Sequence, residues 1–417
     1  MEYGLIGERI SHSYSKDIHE TLGGYTYDIC DLSQDIFDAF MKEKSFKAIN
    51  VTIPYKEKVI PYLDHISSDA KAMHSVNIVI NKDNKLYGYN SDITGIIETF
   101  SHYNVDVKGK TVLVLGSGGA SKTIVYTLNK LEAKKVLVVS REKGKADITY
   151  DQISNYYSDI DMVINATPNG MYHRDYKRLI ELDKFTKLIV VFDLIYNPLK
   201  TPLLIEAESL GIKAIGGIYM LIAQAVDAMR YFKEIELKKE EVDKYLSKLV
   251  KEKLNIVLIG MPTCGKSTIA KKISKVLNRP YIDIDSYVEE KNNINIPEYI
   301  KEFGEDKFRD LETLAVKDLK DLRSYIISTG GGVITRDINM RYLKENSIIF
   351  FIDRPLKLLY PSSDRPLSSD TEALKKKYTE RIDLYKKYSD YIIKNDRDIN
   401  DVVNDTLRIF INESISY

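Results

Sequence analysis

The chain has 417 residues, of which 44% are hydrophobic and 29% charged, the composition of an ordinary globular protein with two or three domains. Lys plus Arg and Asp plus Glu both total 61, so the formal net charge is +0, which argues against a nucleic-acid or anionic-membrane partner. Two cysteines, Cys30 and Cys264, argue against a disulfide framework and fit a reducing, cytoplasmic compartment. The six histidines never fall in a pattern such as H-E-x-x-H, so a structural zinc site is not expected. The opening MEYGLIGERI lacks a basic segment followed by a long apolar run, so no signal peptide is expected, and no apolar stretch is long enough to span a bilayer.

Short apolar runs alternate with amphipathic segments. YGLIG (3–7), AINVTIP (48–54), TVLVLG (111–116), KVLVVS (135–140), MVINAT (162–167) and LIVVFDL (188–194) read as buried strands. The pattern restarts at NIVLIG (255–260) and runs on through YIIST (325–329) and SIIFFID (347–353). Strands alternating with helices predict an α/β fold with parallel sheets. Between the halves, residues 231–254 are rich in charge and free of Gly and Pro, which predicts one solvated helix leading into a second domain.

In the first half, GSGGAS (116–121) follows the strand TVLVLG and precedes the helix KTIVYTLNKL. A Gly-x-Gly signal is weak alone, but strand–loop–helix context supports dinucleotide binding by Gly116, Ser117, Gly118, Gly119, Ala120 and Ser121. The next strand ends at Ser140-Arg141, where a fold choosing NAD usually carries an acidic residue for the ribose 2′-hydroxyl. Arg141, with Lys143 and Lys145 nearby, suits a 2′-phosphate, so NADP(H) is favoured over NAD(H).

Around this loop lie GERISHSYSKDIH (7–19), NVTIPYKE (50–57), SVN (75–77), GYNSD (88–92), NATPNGM (165–171), DLIYNPLKTPLL (193–204) and GGIYMLIAQA (216–225). Over most of 1–235 these motifs resemble the shikimate dehydrogenase family. The resemblance implies that Ser13 and Ser15 hold the substrate carboxylate, that Lys56 and Asp92 form the catalytic pair, and that Thr52, Asn77 and Gln224 meet ring hydroxyls beside Tyr196. It places Thr167 and Asn169 with the cofactor, and Gly217 and Met220 along the nicotinamide cleft. Arg9 and Lys16 stand where relatives often have Pro. The chemistry is coherent: a lysine beside a carboxylate can deliver the proton that ketone reduction needs.

In the second half, GMPTCGKST (260–268) sits between the strand NIVLIG and the helix TIAKKISKVL. G-x-x-x-x-G-K-[ST] there is a strong phosphate-loop signal: Gly260, Cys264, Gly265, Lys266, Ser267 and Thr268 would bind ATP, Lys266 would reach the transferred phosphoryl group, and Ser267 would ligate Mg²⁺. Cys264 reads as a small filler. In YIDIDSYVE, strand alternation would put Asp283 and Asp285 on one face, one toward the metal and one toward a hydroxyl.

FRDLE (308–312), STGGGVI (328–334), SSDRPL (362–367) and ERIDLYKKYSDY (380–391) follow in that order. Together with the loop they resemble shikimate kinase over essentially all of 254–417. The resemblance implies Asp283 in the Mg²⁺ shell, Asp285 on the shikimate 3-hydroxyl, Arg309 and Arg381 on the carboxylate, and Gly330, Gly331 and Gly332 beside the ring. It makes Arg365 the lid arginine; Arg354, in the earlier DRPL, reads as a strand end. No arginine precedes the lid motif to stack on adenine, and Tyr360 is the one aromatic near it.

The expected architecture is α/β. It comprises an N-terminal two-subdomain dehydrogenase with a Rossmann-like NADP domain, then a P-loop kinase with a parallel sheet, like nucleoside-monophosphate kinases. The expected boundaries are 1–245 (substrate subdomain about 1–100 plus C-terminal helices, NADP subdomain about 101–220), a linker at 246–253, and 254–417. The expected activity is NADPH-dependent reduction of 3-dehydroshikimate to shikimate, followed by its phosphorylation with ATP and Mg²⁺. The rivals are a first domain that takes quinate with NAD, or one that binds without turnover. The partners are small molecules, and the sequence carries no signal of oligomeric state.

Overall fold

The computed structural model describes residues 1–10, 13–172, 174, 176–360 and 371–412. They form two compact units: Met1–Asn197 with Glu206–Leu246, and Pro198–Ile205 with Ser247–Tyr417.

The first unit opens with β1 (Tyr3–Gly7), α1 (Ser15–Gly23), β2 (Asp28–Asp31), α2 (Gln34–Glu43), β3 (Ala48–Val51), β4 (His65–Ile66), α3 (Ser68–Met73), β5 (Ile78–Lys82), β6 (Lys85–Tyr89) and α4 (Asp92–His102). Their sheet has the order β2-β1-β3-β5-β6-β4. Expectation had parallel strands, but β5 runs antiparallel to both β3 and β6. The cause is local. Asp83 and Asn84 both take positive φ (51° and 63°), the left-handed pair of a two-residue hairpin turn. Ile6, Phe37, Met41, Ile49 and Tyr55 pack one face of this sheet, and Tyr27, Ile78 and Phe232 pack the other.

The chain continues with β7 (Thr111–Leu115), α5 (Gly119–Lys130), β8 (Lys135–Ser140), β9 (Ile148–Thr149), β10 (Met162–Asn165), β11 (Val190–Asp193), α6 (Pro202–Ser209), β12 (Lys213–Ile215) and α7 (Ile218–Lys233), whose strands form the cofactor half. Its sheet, β12-β11-β10-β7-β8-β9, is parallel throughout. Continuous apolar runs such as TVLVL suit strands covered on both faces. Helix α7 returns to the first sheet, where Ala228 and Phe232 join its core.

The charged stretch 231–254 is not one solvated helix. Helix α7 stops at Lys233, where Glu234 takes a left-handed φ of 56°. Then α8 (Lys239–Lys253) begins. Val242, Tyr245, Leu249 and Val250 on α8 are buried, so the helix is amphipathic.

The second unit continues with β13 (Asn255–Ile259), α9 (Lys266–Leu277), β14 (Tyr281–Asp283), α10 (Ile284–Asn292), α11 (Ile296–Phe303), α12 (Glu305–Leu319), β15 (Ile326–Ser328), α13 (Asp337–Lys344), β16 (Ser347–Asp353), α14 (Thr371–Tyr388), β17 (Tyr391–Lys394) and α15 (Ile399–Asn412). Its parallel sheet has the order β14-β15-β13-β16-β17. Strand β13 lies centrally, so the loop leaving it emerges at the carboxyl edge of the sheet, where open α/β folds bind ligands.

Candidate active sites

In the first unit, the turn after β3 and the first turn of α4 converge. Lys56 Nζ donates to Asp92 Oδ2 at 2.6 Å, with both side chains mostly withdrawn from solvent. Asn77 Nδ2 donates to Asp92 Oδ1 at 2.9 Å, so both carboxylate oxygens are held. Asn77 is fixed in turn, its Oδ1 accepting from the Ser91 backbone N–H at 2.8 Å. Ser91 Oγ reaches Gln224 Oε1 on α7 at 3.4 Å. Lys56, Asn77, Asp92 and Gln224 are thus gathered into one polar network.

Ser13 Oγ donates to Ser15 Oγ at 3.0 Å at the start of α1, and the Tyr14 ring packs on Tyr196 with centroids 5.5 Å apart. Burial, with the nearby Tyr14, pushes the Tyr196 phenol above its ordinary pKa. Ser11 and His12, between the expected serines and β1, lie outside the described residues. Thr52 continues from β3, its N–H donating to Ile6 O at 3.0 Å.

The dinucleotide loop leaves β7 at Gly116, whose φ of 101° favours glycine. A Cβ at Gly118 or Gly119 would meet nothing within 4 Å, so the N-terminus of α5 faces open space that an anionic group can enter. Ser117 Oγ donates to Ser140 Oγ at 3.3 Å, tying the loop to the end of β8. Arg141, Lys143 and Lys145 are exposed beyond it. Lys145 Nζ, however, pairs with Glu142 at 2.6 Å, which leaves Arg141 and Lys143 as the basic groups without a bonded carboxylate among the described residues. Thr167 Oγ1 donates to Asn165 Oδ1 at 2.7 Å, and Asn169 brackets Lys177 through two bonds of 2.8 and 2.9 Å. Gly217 allows a close approach: a Cβ there would lie 2.1 Å from Leu194 O. Met220 packs against the cofactor-half core.

In the second unit the phosphate loop spans Gly260 to Gly265, and Gly265 turns into α9 at φ 94°. Lys266 is buried, and its ammonium donates to Gly260 O and Met261 O, both at 2.9 Å. Cys264 is fully buried under the loop, and Asn395 Nδ2 holds its carbonyl at 2.6 Å. Ser267 Oγ donates to Asp283 Oδ2 at 2.9 Å and lies 3.1 Å from Ser328 Oγ. Tyr281 OH also donates to Asp283 Oδ2 at 3.1 Å.

The D-x-D geometry differs from expectation. Strand β14 ends at Asp283, and Asp283 caps α10 by accepting from the Asp285 and Ser286 N–H groups. A helix cap, and not strand alternation, brings the two aspartates together. A Cβ on Gly330 would sit 2.5 Å from Asp285 Oδ1, and one on Gly332 would sit 2.0 Å from Arg309 Nη2. Glycine there gives both side chains room.

Arg309 is buried between two carboxylates, with Nη1 to Glu312 at 2.9 Å and Nη2 to Glu305 at 2.7 Å. Glu312 is fully buried, whereas the Glu305 side chain is 37% exposed. Glu305 also lies 3.7 Å from Arg381, whose Nη1 donates to Gly331 O at 3.1 Å. Arg309 and Arg381 line one cleft of ≈ 1160 Å³, together with Gly265, Lys266, Ser267, Thr268, Asp283, Asp285, Gly330, Gly331, Gly332 and Tyr360. Arg354 follows the end of β16 and donates to Leu358 O at 3.0 Å, as a strand-end residue would. Arg365 lies outside the described residues.

A family model for the shikimate dehydrogenase substrate binding domain matches residues 5–79. A shikimate dehydrogenase (NADP(+)) of Clostridium botulinum is 37% identical over 242 residues, 54% of this chain and 94% of that protein. The chain belongs to the shikimate dehydrogenase family. Two solved relatives agree. A chorismate mutase/shikimate 5-dehydrogenase fusion protein from Clostridium acetobutylicum is 33% identical, has a TM-score of 0.56, and covers 59% of this chain and 96% of its own. Shikimate dehydrogenase 1 from Peptoclostridium difficile is 33% identical with a TM-score of 0.54, covering 60% and 98%. The family model for shikimate kinase matches residues 262–410, so a kinase domain follows the dehydrogenase. The chain is a bifunctional shikimate-pathway enzyme that implies NADP and ATP as nucleotides.

The GYNSD motif marks Asp92 but leaves Asn90 and Ser91 unmarked. Asn90 Oδ1 accepts from the Asp92 N–H at 2.9 Å, and Ser91 links Asn77 to Gln224. In the kinase domain the motifs leave unmarked Glu305 and Glu312, which flank Arg309 at helical spacing, and Lys377 and Tyr385, which flank Arg381 likewise. A count of polar residues at i, i+3 and i, i+4 would have marked both stripes. Nothing in the sequence marks Asn395. Among the described residues, no helix is long and apolar enough to cross a membrane.

Proposed function

We propose that the dehydrogenase reduces 3-dehydroshikimate to shikimate with NADPH and that the kinase phosphorylates the product at its 3-hydroxyl with ATP and Mg²⁺, in the cytoplasm. The observation that carries the first half is the Lys56–Asp92 contact of 2.6 Å beside Asn77 and Gln224. Ketone reduction needs a proton at the carbonyl oxygen as carbon receives hydride, which the bound cofactor supplies. Lys56 delivers that proton, and Asp92 keeps its ammonium aimed. Ser13 and Ser15 take the substrate carboxylate, and Thr52, Asn77, Tyr196 and Gln224 face the ring hydroxyls. The open space over Gly118 and Gly119 fits a pyrophosphate, with Gly116, Ser117, Ala120 and Ser121 completing the loop. Ser140 and Arg141 meet the ribose 2′-phosphate, and Thr167, Asn169, Gly217 and Met220 border the nicotinamide.

In the kinase, Gly260, Cys264, Gly265 and Thr268 shape the loop around the phosphates of ATP, which supplies the phosphoryl group. The Ser267–Asp283 oxygen pair, 2.9 Å apart, has the hard-oxygen character that Mg²⁺ requires. Lys266, now resting on two loop carbonyls, turns to the phosphates, and Arg365 adds charge from the lid. Asp285 orients the hydroxyl and takes its proton. The substrate carboxylate enters between Arg309 and Arg381, with Gly330, Gly331 and Gly332 under the ring. It displaces Glu305 and leaves Glu312, because the exposed carboxylate yields at low cost while stripping a buried partner costs about 3–5 kcal/mol. The functional domains are 1–245 and 254–417, joined at 246–253.

The test is purified protein with 3-dehydroshikimate, NADPH, ATP and Mg²⁺, omitting one nucleotide at a time. Shikimate 3-phosphate should require both nucleotides, and shikimate should accumulate without ATP. Failure to consume NADPH, with added shikimate still phosphorylated, refutes the dehydrogenase half.

A further inference from the structure

Helix α14 carries Lys377, Arg381 and Tyr385 at successive four-residue spacings, one stripe of a helix. Arg381 and Tyr385 both donate to Gly331 O. Lys377 lines the same cleft, yet its Nζ is buried and has no hydrogen-bond partner among the described residues. A desolvated ammonium without a partner is costly unless an anion comes to meet it. The charged groups acting on it are Glu305 and Arg309 from α12, and Arg381 and Glu380 from its own helix. Glu305 is already shared by Arg309 and Arg381. Lys377 is therefore the cation of this cluster left without a bonded carboxylate among the described residues.

We infer that Lys377 is a further substrate-binding residue of the kinase, its unpaired ammonium supplying a third positive charge, beside Arg309 and Arg381, for the substrate carboxylate. This rests on the reading that those two arginines face the carboxylate. Burial, then the charge of Arg381, pushes the Lys377 pKa down to about 8. Below pH 8 the ammonium is ready for an anion. Above it, binding must first restore the proton, so substrate affinity falls as pH rises through 8.

The test is steady-state kinase kinetics at pH 7 and pH 9 on the full chain, for the native protein, K377M, K377R and R381M. K377M should raise the shikimate KM at pH 7 about tenfold, the value of one charge-assisted contact, while the ATP KM moves less than about twofold. The native shikimate KM should rise several-fold from pH 7 to pH 9. K377R, which stays charged, should keep a near-native KM at pH 7 and lose that rise. An unchanged shikimate KM in K377M, or a raised ATP KM in its place, overturns the inference. If K377M is inactive, K377R decides: a native-like rise at pH 9 overturns it, and a flat profile supports it. R381M separates the two readings. If it leaves the shikimate KM unchanged, the carboxylate assignment itself fails; if it raises that KM while K377M does not, only the Lys377 inference fails.

Discussion

Lys56 and Asp92 are 36 residues apart in the chain, and their charged groups are 2.6 Å apart in the fold. The turn after β3 presents the lysine, and the first turn of α4 presents the carboxylate, itself held by Asn77 at 2.9 Å. Replacing Lys56 by Met should lower dehydrogenase kcat by about 10²–10⁴-fold, the usual worth of a positioned proton donor. Asp92→Asn should lower it by a smaller factor, since the lysine remains. Kinase turnover by the same chain should stay native, and a parallel assay of both activities checks the pair.

Arg141 stands exposed at the end of β8, and Lys145 nearby is bonded to Glu142. Arg141→Ala should therefore raise the KM for NADP(H) about 10–100-fold, the worth of charge-assisted contacts to a phosphate. The KM for NAD(H) should barely move. Comparing the two cofactors in both proteins measures this, and an equal loss for both would refute the 2′-phosphate role.

The Lys266 ammonium rests on Gly260 O and Met261 O at 2.9 Å, within the loop it serves. Lys266→Ala should reduce kinase kcat at least about 10³-fold, because charge neutralisation is most of what phosphoryl transfer needs from the protein. NADPH oxidation with 3-dehydroshikimate should be unaffected. Retention of kinase turnover would remove Lys266 from the mechanism.

A methyl group at Gly217 would meet Leu194 O at 2.1 Å and Leu194 C at 2.6 Å, both backbone atoms that cannot rotate away. Gly217→Ala should destabilise the dehydrogenase by about 1–3 kcal/mol through overpacking at the start of α7. The midpoint for heat inactivation of dehydrogenase activity should drop by several degrees. Kinase activity in the same sample serves as the reference, and coincident native midpoints would refute the packing argument.

The two nucleotide loops and most strands were legible in the sequence because their signals are local. An apolar run such as TVLVL needs only its own residues to announce a doubly covered strand, and GMPTCGKST needs only its spacing to announce a phosphate cradle. Charge content misled at 231–254, where Glu234 divides two helices and the buried spacing of Val242, Tyr245, Leu249 and Val250 outweighs the lysines and glutamates around them. The antiparallel β5–β6 pair was missed because its signal is two residues, Asp83 and Asn84, in left-handed conformations.

By itself the sequence determined the order of the elements, the family, and which residue types stand ready for hydride and phosphoryl chemistry. Only the tertiary structure decided which of them share a site. It set Asp283 as a helix cap over Asp285, gave Arg309 one buried and one exposed carboxylate, and left the Lys377 ammonium without a hydrogen-bond partner among the described residues. The reason is physical: propensity and spacing act over a few residues, whereas burial, pairing and the cost of an unpartnered charge depend on groups brought together from distant parts of the chain.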